Sequence, residues 1–461
     1  MLSESDAAIS IPELRNDIHG RVIAPDDDGY DAARTVFVGG IDKRPALIVR
    51  VADATDVARV ISIARDSGLE LAVRSGGHSN GGLCVSDGGI VLDLTDMKDL
   101  QIDLEHRTAW AETGLTAGEY STTAGAHGLA TGFGDTGSVG IGGITLGGGI
   151  GYLVRKHGLT IDDLLAAEVV TADGEVLRVD AESHPDLFWA IRGGGGNFGV
   201  ATRFQFGLHE VGTIVGGILI LPATADVVAS FIAEAEAAPE ELSTIANVMP
   251  APPMPFLPAE QHGKLVVMAL MAYAGHIEAG ERALAPFRAL ATPLADMLRP
   301  MPYPEIYPEE DPDYHPIATV RTMFVDAIDR GAAETIIDHV QAATAPMAVA
   351  QLRVLGGAMA RVPNDATAFA HRGRGLMVNV ASLQGGPDGD GEAQEAWVTG
   401  LAGALQQGEP SAYVNFLGIE GEARVQQAYP GSTWDRLAEI KARYDPTNLF
   451  RLNQNIPPAK G

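Results

Sequence analysis

Residues 137–151 read GSVGIGGITLGGGIG, and two other glycine-dense stretches lie on either side of them, RSGGHSNGG at 74–82 and RGGGGNFG at 192–199. Eight of the fifteen residues in 137–151 are glycine, which is too many for the interior of a stable helix or strand. Lacking Cβ atoms, such segments let backbone amides approach a ligand closely, and consecutive amides bind phosphate. A single glycine-rich loop reads most simply as a tight turn. Three in one region point to an extended, phosphate-bearing cofactor. Narrower motifs fail. GxGxxG occurs at Gly132-Gly134-Gly137 and at Gly194-Gly196-Gly199. Neither is expected between a strand and a following helix, the context in which that motif binds a dinucleotide. Gly199 instead opens a strand. No GxxxxGK(S/T) segment is present, so phosphoryl transfer has no support.

Around these loops the N-terminal part alternates short strands and helices. Residues 45–51 read as a buried strand. Val57, Val60, Ile61 and Ala64 then recur at helical spacing, with Asp53 or Thr55 as the cap and Gly68 as the stop. Residues 71–73 form a strand that runs into RSGGHS, and 90–94 form another. Residues 168–171 and 175–179 flank Asp173-Gly174, a two-residue hairpin signal, and 199–208 alternate as a half-buried strand. Beyond about residue 211 the character changes. Ala- and Glu-rich helical stretches (224–238, 276–291, 331–344) alternate with β-prone runs (265–272, 375–380). Two proline-rich loops, 250–258 and 300–316, interrupt them. A second domain is expected at 211–412. The closing segment, 413–461, carries a helix over 434–444 and then DPTNLFRLNQNIPP.

A chain of 461 residues suggests more than one core, and 46% hydrophobic with 20% charged residues is the profile of a folded protein. The formal net charge of −28 disfavours nucleic acid and anionic membrane surfaces as partners. Cys84 is the only cysteine, which excludes an internal disulfide and a cysteine-built metal site. The other histidines do not cluster at ligand spacing, so no metal is assigned. The N-terminal MLSESDAAISIPEL lacks the pattern of a signal peptide, and no apolar run of membrane-spanning length occurs. A cytoplasmic protein is expected. The sequence carries no signature of an oligomeric state.

RSGGHSNGG followed by DGGIVLDL resembles the berberine-bridge-enzyme-like FAD-linked oxidases of the vanillyl-alcohol-oxidase and p-cresol-methylhydroxylase superfamily. The resemblance continues through VGIGGITLGGGIGYLVRKHGLTIDDLL, VVTADGEVL, HPDLFWAIRGGGGNFGVAT, YVNF and YDPTNLFRLNQNIPP. It covers the first half and the last fifty residues, and it is nearest to the bacterial, 6-hydroxy-D-nicotine oxidase type within the family. It implies an α+β, two-domain fold: an FAD domain built from both chain ends (1–210 and 413–461) with an inserted α/β substrate domain (211–412). It further implies FAD bonded covalently to His78, with Arg74, Ser75, Gly76, Gly77, Ser79 and Asn80 as phosphate-binding neighbours. Thr136, Val139, Gly140, Gly142, Gly143 and Gly147 are expected to line the flavin and its phosphates. Val200 is expected near the adenine or ribityl part, and Asn453 and Asn455 near the isoalloxazine. A histidine among glycines has no hydrophobic reason to be there, and imidazole is a suitable nucleophile for an electrophilic flavin methyl. The attachment is expected to be single. A second bond, where relatives have one, comes from a cysteine at the position Thr136 holds here, and a threonine hydroxyl is a poor substitute for a thiolate.

The chemistry implied is hydride transfer from a carbon bearing oxygen or nitrogen to flavin N5, helped by a general base. In many relatives that base is the tyrosine of a Tyr-x-Asn motif, here Tyr413 and Asn415. Tyr413 reads equally as a packed tyrosine with a satisfied hydroxyl. Tyr303, Tyr307, Tyr314, His315, His371 and the loop at 254–256 are candidates to line a pocket for a small-molecule alcohol, hemiacetal or amine, and each also reads as ordinary packing. Dioxygen is the expected electron acceptor, with another acceptor as the alternative. The rival readings are a nicotinamide-dependent dehydrogenase, which the glycine context disfavours, and a non-catalytic flavin- or ligand-binding protein.

Overall fold

The computed structural model describes residues 10–308, 310–311, 313–384 and 390–460. Near the N-terminus a small sheet places strands Leu47–Arg50 and Leu71–Arg74 on either side of Ile90–Asp93, all parallel, with Arg21–Ile23 antiparallel at one edge. Helix Ala54–Ser67 joins two of these strands. Asp53 caps it by accepting from the Thr55 and Asp56 amides, and Gly68 ends it at φ +70°, where a side chain is disfavoured. Its Val57, Val60, Ile61 and Ala64 are buried against Leu47, Val49 and Leu71. A five-stranded antiparallel sheet follows, in the order Leu100–Asp103, Thr108–Glu112, Val200–Gly207, Leu164–Val170, Val176–Asp180. Its last two strands form the expected hairpin, with Gly174 at φ +87° in the turn.

An eight-stranded sheet is built entirely from residues between 213 and 384. Helices Ala225–Ala237, Ile277–Ala289, Arg330–Ala342 and Gly391–Leu405 cover one of its faces, where Ala350, Leu352, Val378 and Val380 join their core. Because side chains alternate along a strand, Gln351, Arg353 and Asn379 on Met347–Val354 and Leu376–Gln384 project to the opposite face. Gln351 and Asn379 are direct cross-strand neighbours. The C-terminal helix Ser432–Tyr444 packs back on Pro185–Ile191 in a core that also holds Phe188, Trp189, Val414 and Tyr429. Lys441 there is fully buried. It pairs with buried Asp445 at 2.6 Å and donates to the Asn197 carbonyl at 2.7 Å. Most of the N-terminal stretch that lacks a signal-peptide pattern lies outside the described residues.

Three expectations need correction. Residues 141–146 are helical despite Gly142 and Gly143. Close packing overrides propensity here: a Cβ on Gly142 would come within 3.0 Å of the Ser75 side chain. The GxGxxG at 132–137 does lie between a strand, Leu129–Ala130, and that helix. The strand pairs antiparallel with His209–Glu210, so no parallel βαβ unit forms. The proline-rich segment from 300 is not a free loop. It contains strand Arg299–Pro302 and a 3-10 turn at Tyr303–Ile306, although residues 309 and 312 fall outside the described set.

Candidate active site

The glycine-rich segments interlock. A Cβ added to Gly76 would lie 2.2 Å from the Gly140 nitrogen, and one on Gly140 would lie 2.2 Å from the Gly76 nitrogen. Backbone therefore touches backbone where the 74–82 and 137–151 segments cross, and only glycine permits it. Beside this crossing opens a cavity of about 410 Å³, within the range of cofactor and small-ligand sites. Ser75, Gly76, Gly77, His78, Ser79 and Asn80 form one wall, and Thr136, Val139, Gly140, Gly142 and Gly143 form a second. Gly195, Gly196, Val200, Asn453 and Gln454 line it as well, as do Tyr413, Asn415 and Phe416. A Cβ on Gly143 would meet nothing within 4 Å, so the wall is open at that point.

Local hydrogen bonds hold these walls. Ser75 donates to the Thr113 carbonyl at 2.6 Å and accepts from the Gly142 amide. Ser79 Oγ accepts from the Leu83 amide, and the Asn80 amide donates to the Phe416 carbonyl at 3.0 Å, tying the first loop to the YVNF segment. His78 is stacked on Phe37, with centroids 4.1 Å apart, and its Nε2 lies 2.9 Å from Ser138 Oγ. Burial lowers its pKa to about 4, against opposing pulls from Glu310 and the Ser138 backbone, so the ring is neutral at pH 7. Its Nδ1 makes no hydrogen bond among the described residues.

Tyr413 is 2% exposed, with its ring edge-on to Phe369 and Phe416. Its hydroxyl accepts from the Gly149 amide at 3.0 Å and from Asn415 Nδ2 at 2.9 Å. The Asn415 amide orientation follows from its other bond, since Nδ2 also donates to the Ile144 carbonyl. Burial raises the Tyr413 pKa above that of an ordinary phenol, while Asn415 and the Gly149 and Ile150 amides favour the phenolate and oppose the rise.

Several expected residues stand back from the cavity lining. Arg74 is buried behind the loop, donates to the Ala33 and Thr35 carbonyls, and leaves Nε and Nη2 without partners among the described residues. Gly147 serves as the seat for Asn415, because a Cβ there would fall 1.9 Å from its Oδ1. Asn455 is not among the residues lining the cavity, whereas its neighbours Asn453 and Gln454 are. The pocket candidates are displaced too. Tyr303 and Tyr307 pack with Tyr152 in a separate cluster, and Tyr314 is exposed. Buried His371 stacks on Phe324 and donates to the Gln427 carbonyl. Exposed His315 donates to the Phe37 carbonyl, and Phe256 at the 254–256 loop is exposed away from the cavity. Each of these residue types suits a pocket, packing or the surface: Tyr303, Tyr307 and His371 pack, while Tyr314, His315 and Phe256 are exposed. Cys84 does line the cavity, and burial raises its thiol pKa, which keeps it protonated.

Sequence reasoning missed the wall contributed by the large sheet. Arg353, 3% exposed, donates to Asp135 at 2.6 Å and to Gln351 Oε1 at 2.8 Å, and lies over the Phe416 ring. Asn379 beside them leaves a buried Oδ1 without a partner among the described residues. Gln351 and Arg353 were visible as polar residues in the apolar run MAVAQLRV. The neutral histidine with a free ring nitrogen, the glycine crossing and the partly polar cavity all fit a flavin dinucleotide.

Comparison with known proteins agrees. A family model described as FAD binding domain matches residues 45–180, and one described as berberine and berberine like matches residues 412–457. The (R)-6-hydroxynicotine oxidase of Paenarthrobacter nicotinovorans is 30% identical over 96% of this chain and 97% of its own. The crystal structure of 6-hydroxy-D-nicotine oxidase from Arthrobacter nicotinovorans superposes with a TM-score of 0.84 at 29% identity, covering 96% of this chain and 98% of that one. The xylooligosaccharide oxidase of Myceliophthora thermophila gives 0.84 at 25% identity, covering 97% and 99%. The matched fold is the expected α+β FAD-binding oxidase fold. With a cavity at the crossing of its glycine segments and these relatives over nearly its whole length, the chain belongs to the berberine-bridge-enzyme-like FAD-linked oxidoreductases.

Proposed function

We propose that this enzyme carries FAD on a single covalent bond to His78 and oxidises a small ring-bearing alcohol, hemiacetal or amine, with Tyr413 as the general base and dioxygen as the electron acceptor. The bound flavin supplies the hydride acceptor. The observation that carries the reading is the Tyr413 hydroxyl. It stands on the cavity wall with both of its accepted hydrogen bonds coming from N–H donors. Those donors favour the phenolate and leave the oxygen's own hydrogen as the group that exchanges with a substrate hydroxyl or amine. Asn415 fixes the phenol and helps it ionise. Asp135, Arg353 and Asn379 give the substrate end hydrogen-bonding character, suited to a ring with more than one polar substituent.

The same reading takes 1–210 and 413–461 as the cofactor domain and 211–412 as the substrate domain. In it Ser75, Gly76, Gly77, Ser79, Asn80, Val139, Gly140, Gly142 and Gly143 hold the phosphates and the flavin, with Val200 and Asn453 farther along. Thr136 and a protonated Cys84 leave the flavin singly attached. The test is anaerobic mixing of the yellow protein with a panel of cyclic alcohols, amines and sugars. Bleaching of the flavin absorbance by at least one of them is expected. A flavin that no member of a broad panel bleaches would favour the non-catalytic alternative.

A further inference from the structure

Ser138 stands between His78 and a carboxylate from another part of the chain. Its Oγ lies 2.9 Å from His78 Nε2 and donates to Glu310 Oε2, while its amide donates to Glu310 Oε1 at 3.1 Å. An ionised carboxylate only accepts hydrogen bonds. The Ser138 hydroxyl hydrogen therefore belongs to Glu310, and the Ser138 oxygen is left as an acceptor for Nε2–H. A neutral imidazole carries one proton, so a proton on Nε2 leaves Nδ1 with its lone pair free. Phe37 stacks on the ring face and fixes its plane.

We propose that Ser138 and Glu310 are positioning residues that prepare His78 for attachment to the flavin, selecting Nδ1 as the attacking atom and draining the proton from Nε2. The proposal rests on the covalent reading of His78 given above. In the step, a C–N bond forms between Nδ1 and the flavin 8α carbon, and one C–H bond of that methyl group breaks. The imidazole gives up its Nε2 proton, through Ser138, to Glu310. The methyl group gives up a second proton, and the electron pair of its C–H bond reduces the ring system by two electrons. Dioxygen takes those two electrons and two protons to give hydrogen peroxide, which restores the oxidised cofactor. Glu310 is exposed, so it passes its proton on to water.

The test uses full-length wild type, Ser138→Ala, Ser138→Thr, Glu310→Gln and His78→Ala, all produced under riboflavin limitation. Each is supplied with FAD under air and sampled into acid, and acid-stable flavin is followed with time. Non-covalent binding is measured separately by quenching of FAD fluorescence. Ser138→Ala and Glu310→Gln are expected to attach flavin at least about tenfold more slowly while still binding it, with Ser138→Thr close to wild type and His78→Ala at zero. Nuclear magnetic resonance of the isolated aminoacyl flavin is expected to show the Nδ1 linkage. Wild-type attachment rates in both flavin-binding variants, or a linkage at Nε2, would overturn the proposal and leave covalent attachment standing. If Ser138→Ala fails to bind FAD, the exposed Glu310→Gln decides the matter alone. Wild-type flavin fully released by acid would instead refute the covalent reading itself.

Discussion

Replacing Tyr413 by phenylalanine removes one oxygen and keeps the ring that packs against Phe369 and Phe416. Two N–H donors, those of Gly149 and Asn415, lose their acceptor. Leaving a buried donor unpaired costs about 1–3 kcal/mol, although Asn415 keeps its bond to Ile144. The variant should melt earlier yet retain its flavin. The chemical step should slow by about 10²–10⁴-fold, the usual contribution of a general base. Burial holds the phenol above its ordinary pKa of about 10, so at neutral pH the ionised fraction is small and grows about tenfold per pH unit. Wild-type flavin reduction should rise with pH accordingly, and the rise should vanish in the phenylalanine variant. Stability moves the opposite way. A pKa raised by folding contributes stability below the unfolded value, and that contribution is lost as pH climbs from about 10 through the folded value. Anaerobic stopped-flow reduction observes the step without oxygen chemistry, and circular dichroism confirms the fold. A slowdown of less than about tenfold, or an unchanged pH profile, would remove Tyr413 as the base.

Other perturbations probe the frame around it. Cys84→Ser should leave all of the flavin acid-stable, because the thiol is protonated in its buried setting; flavin mass on a Cys84 peptide in wild type would contradict this. Gly140→Ala forces a Cβ against the backbone of Gly76 and should lower the flavin content of the purified protein several-fold, read from the ratio of visible to ultraviolet absorbance. Lys441→Ala leaves the buried Asp445 carboxylate without its partner and should cost about 3–5 kcal/mol in denaturant unfolding. Unchanged unfolding there would mean that the Leu449 and Phe450 amides, which also donate to Asp445, carry that site alone.

Local signals made the N-terminal half legible. Asp53, Gly68 and Asp173-Gly174 each act through neighbours in the chain, and helix Ala54–Ser67 and the 164–180 hairpin form where those residues direct. The large sheet was read only in part because strands such as Leu242–Pro250 are buried along almost their whole length, which erases the two-residue alternation. Helix Ile141–Leu146 was unreadable for the opposite reason. Its Gly142 is required by contact with Ser75, sixty-seven residues away, and local propensity knows nothing of that. At the site, the histidine and the Tyr-x-Asn pair were visible as residue types in unusual settings. Gln351, Arg353 and Asn379 converge only through strand register, Asp135 reaches Arg353 only across 218 positions, and Ser138 meets Glu310 only through a contact spanning 172 positions.

The bond from Asn80 to Phe416 spans 336 positions of chain. A ribosome adding about 5–20 residues per second needs roughly 20–70 s to make that length. Throughout this interval the first glycine loop exists without the tyrosine, Asn453 and Gln454 that complete its cavity. The cavity to which FAD is assigned under the proposed function is therefore completed only when the last tenth of the chain has been made, long after its first glycine loop.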